Sequence, residues 1–163
     1  MDEKKSDNAL ENIDFEALGD LLAAESVWIG DGRTKTKIHD MELEVDNPLS
    51  VSPINPPPHV TWPEQLLPAA LAVCFITTMT AINDKIGVHI NELRVIVKPI
   101  LGIDTDGGFK FDKMKLNVKL SIARGEKSKA EKLVEITHKY CLVSKAIKGN
   151  VKEIIEVDIK EVD

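Results

Sequence analysis

The stretch that most constrains this chain is 61–87, TWPEQLLPAALAVCFITTMTAINDKIG, the longest apolar segment in the sequence. From Leu66 to Ile76 every residue is apolar or small, and Cys74 lies near the middle of the whole segment. A helix apolar on all sides is expected to be enclosed by its own protein. The run falls short of the roughly 20 residues that a bilayer crossing needs, so it predicts a core helix. Thr61 and Glu64 have the spacing of a capping box, and Pro63 suits a first helical turn. Pro68 has no N–H for the Glu64 carbonyl, which predicts a kink or a short first helix.

The flanks supply strands and a second helix. Leu10, Ile13, Ala17, Leu21 and Ala24 predict an amphipathic helix over 9–25, behind a polar leader at 1–8. Residues 26–30 are strand-like, Gly30-Asp31-Gly32 is a turn, and 34–46 alternates Met41, Leu43 and Val45 with acidic residues, so a hairpin is expected with Arg33 at its turn. Pro48, Pro53, Pro56, Pro57 and Pro58 make 47–60 a stiff connector. After the central helix, 88–100 reads as a strand. Asp106-Gly107-Gly108 then turns into Met114, Leu116, Val118, Leu120 and Ile122, which alternate with Lys113, Lys115, Asn117, Lys119 and Ser121. Ala130, Leu133, Val134, Thr137 and Cys141 form the stripe of a helix over 127–140, Ser144 could cap a short turn, and Ile155, Val157 and Ile159 mark a last strand. The order predicts an α+β fold, an antiparallel sheet wrapped about a buried helix. The division expected is a leader and helix at 1–25 followed by one domain at 26–163.

Composition narrows the function. With 27 acidic against 21 basic residues the chain carries a net charge of −6, which argues against general binding of nucleic acid or anionic membrane. The mixed-charge N-terminus has no apolar run of signal-peptide length, so a soluble cytoplasmic protein is expected. Cys74 and Cys141 stand in no zinc-finger or CxxC spacing, leaving inert core thiols or a redox pair. A cysteine among Leu71, Phe75 and Ile76 would have its pKa raised by burial unless a cation stabilises its thiolate. Of the arginines Arg33, Arg94 and Arg124, only Arg33 falls at a predicted loop tip, and Glu64 is a candidate to hold it. His138 and Cys141 share a helix face, but with Cys74 they lack a fourth metal ligand.

The runs PEQLLPAALAVCF at 63–75 and YCLVSKAIKGNV at 140–151, with this order of elements, resemble the osmotically inducible protein C and organic hydroperoxide resistance (OsmC/Ohr) family over about residues 26–162. That resemblance implies an intertwined homodimer with sheets wrapped around long central helices. It also implies a thiol peroxidase acting on organic or fatty-acid hydroperoxides without metal or flavin. It assigns Cys74 as the peroxidatic cysteine, Cys141 as the resolving one, Glu64 as the carboxylate that positions an arginine, and Arg33 as that arginine. An external dithiol, a lipoylated protein among the candidates, would return the thiols. Leu67, Leu71, Phe75 and Met79 would meet the hydrocarbon tail of the substrate at about 0.8 kcal/mol per buried methylene. Two positions depart from the pattern: Leu142 follows Cys141 where proline is usual, so the helix need not stop at the thiol, and Trp62 replaces a common asparagine. The rival expectation is a non-enzymatic dimeric scaffold or apolar-ligand binder with silent thiols.

Overall fold

A computed structural model describes residues 14–30, 32–46 and 61–163. The chain forms two compact units, Met1–Pro63 and Glu64–Asp163. The proline-rich connector, the polar leader and the first residues of the expected N-terminal helix lie outside the described residues.

In the first unit, helix α1 (Phe15–Leu21) is capped by Asp14, whose Oδ1 accepts from the N–H groups of Glu16 and Ala17 at 3.0 Å each. It ends well before the expected Glu25, because the chain turns into β1 (Ala24–Gly30), and none of its residues is buried. The segment expected as one strand over 34–46 is two, β2 (Arg33–Ile38) and β3 (Met41–Val45), which complete an antiparallel sheet in the order β1-β2-β3. His39, at φ 56°, turns the chain there, and its Nδ1 lies 3.0 Å from Asp40 Oδ1. The turn hides in an unbroken alternation, with no glycine to announce it. Arg33 is thus the first residue of a strand, paired with Gly30 across the turn. Thr61 does not start the central helix: it forms a parallel bridge with Val45, its N–H donating to the Glu44 carbonyl and its own carbonyl accepting from Asp46.

The second unit is built on α2 (Pro63–Ile86), which runs through Pro68 without interruption. Its 24 residues exceed the apolar run counted above, and among the described residues it is the one helix long and apolar enough to cross a membrane. Only one stripe of it is enclosed: Pro68, Leu71, Phe75 and Met79. The opposite stripe, Ala69, Ala70, Val73, Thr77, Thr80 and Ala81, is exposed, so the expectation of a helix covered on all sides fails within one copy of the chain. At the far end Asn83 brackets the exit, donating to the Val88 carbonyl and accepting from the Val88 N–H at 2.9 Å each, while Gly87 takes φ 71°.

Strands β4 (Ile90–Ile103) and β5 (Phe109–Ala123) pair antiparallel around the glycine turn. Pro99 is tolerated because β4 is an edge strand in the order β4-β5-β6. On β5 the alternation falls as expected, with Met114, Leu116, Val118, Leu120 and Ile122 all buried. Helix α3 (Lys127–Tyr140) and the short α4 (Leu142–Ile147) follow, then β6 (Lys152–Val162). β6 pairs with β5 in parallel, a departure from the antiparallel expectation, since two helices carry the chain back before it re-enters the sheet. Side chains from α2, β5 and α3 meet in one core cluster with Cys141, Ile147 and Val151, and Cys74 packs at its edge.

Candidate functional site

Two elements bring the thiols together. Cys74 projects from α2 beside the buried stripe and is half-buried, whereas Cys141 is fully buried. Cys141 ends α3: its N–H still donates to the Thr137 carbonyl at 2.8 Å, but its backbone opens to φ −58°, ψ 120°, and α4 begins at the next residue. The helix therefore stops at the thiol without the proline absent at position 142. The Cys141 thiol donates to Cys74 Sγ at 3.3 Å. This is contact between free thiols, longer than the roughly 2.05 Å of a disulfide. Thr78, one turn along α2, lies with its hydroxyl 3.9 Å from Cys74 Sγ.

The environment separates the two sulfurs. Burial, the largest influence on Cys74, pushes its pKa up, yet the Val143 amide, the Cys141 thiol, the Thr78 hydroxyl and the Leu142 amide together hold it below the ordinary thiol value. Cys141 moves the other way, raised mainly by burial and also by its hydrogen bond to Cys74 and the charge there, with the Ser144 amide and hydroxyl opposing. Of the two, Cys74 is the sulfur biased toward its anion and Cys141 the one biased toward its thiol. The two amide donors come from the start of α4, which sequence reasoning did not find because it looked for an arginine.

The other expected residues are distributed unevenly. Glu64 is exposed in the first turn of α2, and ten residues of helix put it about 15 Å along the axis from Cys74. Arg33 belongs to the first unit. Leu67 is partly buried, while Leu71, Phe75 and Met79 have no accessible surface and belong to the core behind Cys74. Missed altogether was a polar chain beside Cys141. The Ser144 hydroxyl donates to Glu153 Oε1 at 2.8 Å, and His138 Nε2 lies 3.0 Å from Glu153 Oε2. Ser144 does not cap the turn as expected; it sits inside α4 and is buried. Glu153 reaches it from a separate strand, a juxtaposition made by the parallel return of β6 and invisible to local spacing. Among the described residues no group of three or more His, Cys, Asp or Glu side chains is placed to hold a metal.

The family model for OsmC-like proteins matches residues 58–156, more than half of the chain and both cysteine segments. The chain belongs to this family. It is 33% identical over 99 residues to the organic hydroperoxide resistance protein-like 2 of Staphylococcus epidermidis, covering 60% of this chain and 67% of that protein. Over 97 residues it is 29% identical to the organic hydroperoxide resistance protein OhrB of Bacillus subtilis, covering 60% of this chain and 69% of OhrB. The OsmC-like protein of Mycoplasma pneumoniae superposes with a TM-score of 0.74 over 86% of this chain and 97% of its own, at 16% identity, a likeness of fold. The link to hydroperoxide resistance holds at the level of the OsmC-like family.

Proposed function

We propose that this OsmC-like chain is a cytoplasmic thiol peroxidase that reduces organic or fatty-acid hydroperoxides to alcohols. The observation that carries the proposal is the pair of free thiols 3.3 Å apart, one biased toward its anion and the other toward its proton. The Cys74 thiolate attacks the outer peroxide oxygen, the O–O bond breaks, and the alkoxide leaves and takes a proton to become an alcohol. Cys74 is then a sulfenic acid. The Cys141 sulfur displaces its hydroxyl, forming the S–S bond and releasing water, and an external dithiol, a lipoylated protein being one such carrier, reduces the disulfide.

Arg33 and Glu64 complete the site in a homodimer. A carboxylate about 15 Å along the same helix is too far to fix a guanidinium against Cys74, so the Glu64 that serves each thiol comes from a second copy lying antiparallel on α2. Two features support that assembly. The exposed stripe of α2 is apolar, with Val73 at 61% exposure, and Thr77 and Thr80 turn their hydroxyls back onto the Val73, Cys74 and Thr77 carbonyls. In the first unit Val27, Met41 and Trp28, the last at 73%, are exposed on a three-stranded sheet too bare to stand without cover. Strands of one copy wrapped on the helices of the other supply it. The substrate tail lies along Leu67 and the exposed side of α2, with Leu71, Phe75 and Met79 as the apolar floor behind the sulfur.

The test is consumption of cumene hydroperoxide with a dithiol reductant by wild type and Cys74→Ser. Wild type turns over and the variant does not. Equal inertness with several dithiols would leave a dimeric scaffold with silent thiols.

A further inference from the structure

The reduced pair leaves one step without an obvious acceptor. In the reduced pair the Cys141 thiol donates its hydrogen bond to the Cys74 sulfur at 3.3 Å. Once Cys74 carries an oxygen, the acceptor has changed, and Cys141 has no accessible surface from which to shed a proton to water. A thiol must become a thiolate to attack.

Ser144 stands three residues on, in the first turn of the helix that Cys141 opens, and its amide and its hydroxyl both lie within hydrogen-bonding reach of the Cys141 sulfur. Its hydroxyl hydrogen is committed to Glu153 Oε1 at 2.8 Å, so its lone pairs are free to take another proton. The Glu153 side chain is only 9% exposed, and its second oxygen meets His138 Nε2 at 3.0 Å. A carboxylate so enclosed is costly unless its oxygens are satisfied, and here each has a partner. His138 is half-exposed and opens on a hollow of about 380 Å³ lined also by Lys139, Lys145 and Lys148. These four side chains, from α3, α4 and the turn after it, are the titratable groups that line this hollow with Glu153, and its register neighbour on β5 is the uncharged Met114.

We propose that Ser144 and Glu153 form a proton relay that activates Cys141 for its attack on oxidised Cys74, with His138 fixing the carboxylate at the edge of the solvent. This rests on the peroxidase reading above. The Cys141 proton passes to Ser144 Oγ as the Ser144 hydrogen passes to Glu153. The Cys141 sulfur then forms the S–S bond, the Cys74 S–O bond breaks, and the departing hydroxide takes up a proton that Glu153 releases through His138 and water. No electrons enter beyond those of the thiol pair. Glu153 acts through Ser144 and is a positioning residue.

The two half-reactions separate its role from packing. Glu153→Gln keeps an acceptor for the Ser144 hydroxyl but no longer accepts its proton. With one equivalent of cumene hydroperoxide, Cys74 should oxidise at the wild-type rate in this variant. Disulfide formation should slow about a hundredfold at neutral pH, the scale of a placed general base. The Cys74 sulfenic acid should then accumulate and be trapped by dimedone, and the rate should recover as pH rises and Cys141 ionises unaided. Ser144→Ala should do the same and decides the matter if Glu153→Gln does not fold. Wild-type disulfide rates and pH profile in either folded variant would overturn the relay. Diamide, which oxidises Cys74 to an adduct that Cys141 must also displace, gives the same comparison without hydroperoxide. If wild type ignores hydroperoxides but slows in the variants with diamide, the relay stands and the peroxidase reading falls.

Discussion

Helices α2 and α3 both lay one stripe into the same core, and they differ in what they do with the other side. On α3 the outer face is finished: Lys127, Glu131, Lys132 and Glu135 are exposed, and Lys132 Nζ sits 2.9 Å from Glu135 Oε2. On α2 the outer face is apolar through three turns and its threonine hydroxyls are spent on the helix itself. One helix has a polar outer face and the other an apolar one that its own chain leaves exposed. On the homodimer reading, sequence hydrophobicity reports the total contact a helix makes in the assembly, whereas burial in one copy reports only the share its own chain supplies.

The difference is sharpest at Val73. A charge placed there by Val73→Glu should shift the protein from dimer to monomer in light scattering at micromolar concentration, whereas Glu131→Lys on α3 should leave the mass unchanged. A monomer in both cases, or in neither, would remove the distinction between the two faces. The inner faces should behave alike. Leu71→Ala and Leu133→Ala each empty a fully buried site, and each should cost about 2–5 kcal/mol in urea unfolding. A much smaller loss at Leu71 would mean that α2 is held mainly by its partner.

Ionisation offers a finer comparison. The Cys74 pKa lies below the ordinary thiol value, so its alkylation by iodoacetamide should rise with pH and level off earlier than that of a free cysteine. The same depression makes the folded state gain stability above the unfolded pKa, a gain lost as pH falls through the folded value. Removing one donor by Cys141→Ala should move the alkylation profile toward higher pH, and an unmoved profile would show that the α4 amides suffice. The smallest effect is expected on the finished face: breaking the exposed pair with Lys132→Gln should leave the urea midpoint where it was.

How much of this was legible in the residues follows the range of the forces involved. Helix α3 could be bounded from Lys127 to Tyr140 because its apolar stripe and charged face are local, and β5 because its alternation is complete. The α+β fold class came with them. The break between β2 and β3 was not legible, since His39 and Asp40 continue the alternation through the turn. Nor was the exposure of α2, a property of packing rather than composition. At the site, the amides of Leu142 and Val143 have no side-chain signature, and Glu153 is brought to Ser144 by strand pairing.

The parallel pairing of β5 with β6 also bears on when the chemistry becomes available. A parallel neighbour requires a crossover, and pairings so distant in sequence are slow to form. Here the crossover itself holds Cys141 and Ser144, and the strand it delivers holds Glu153. A nascent chain that has released Cys74 and Cys141 but not β6 has both sulfurs and no carboxylate beside them. On the relay reading, closing the sheet and supplying the carboxylate are a single late event of folding, so an unfinished chain holds the two thiols without the group that would activate Cys141.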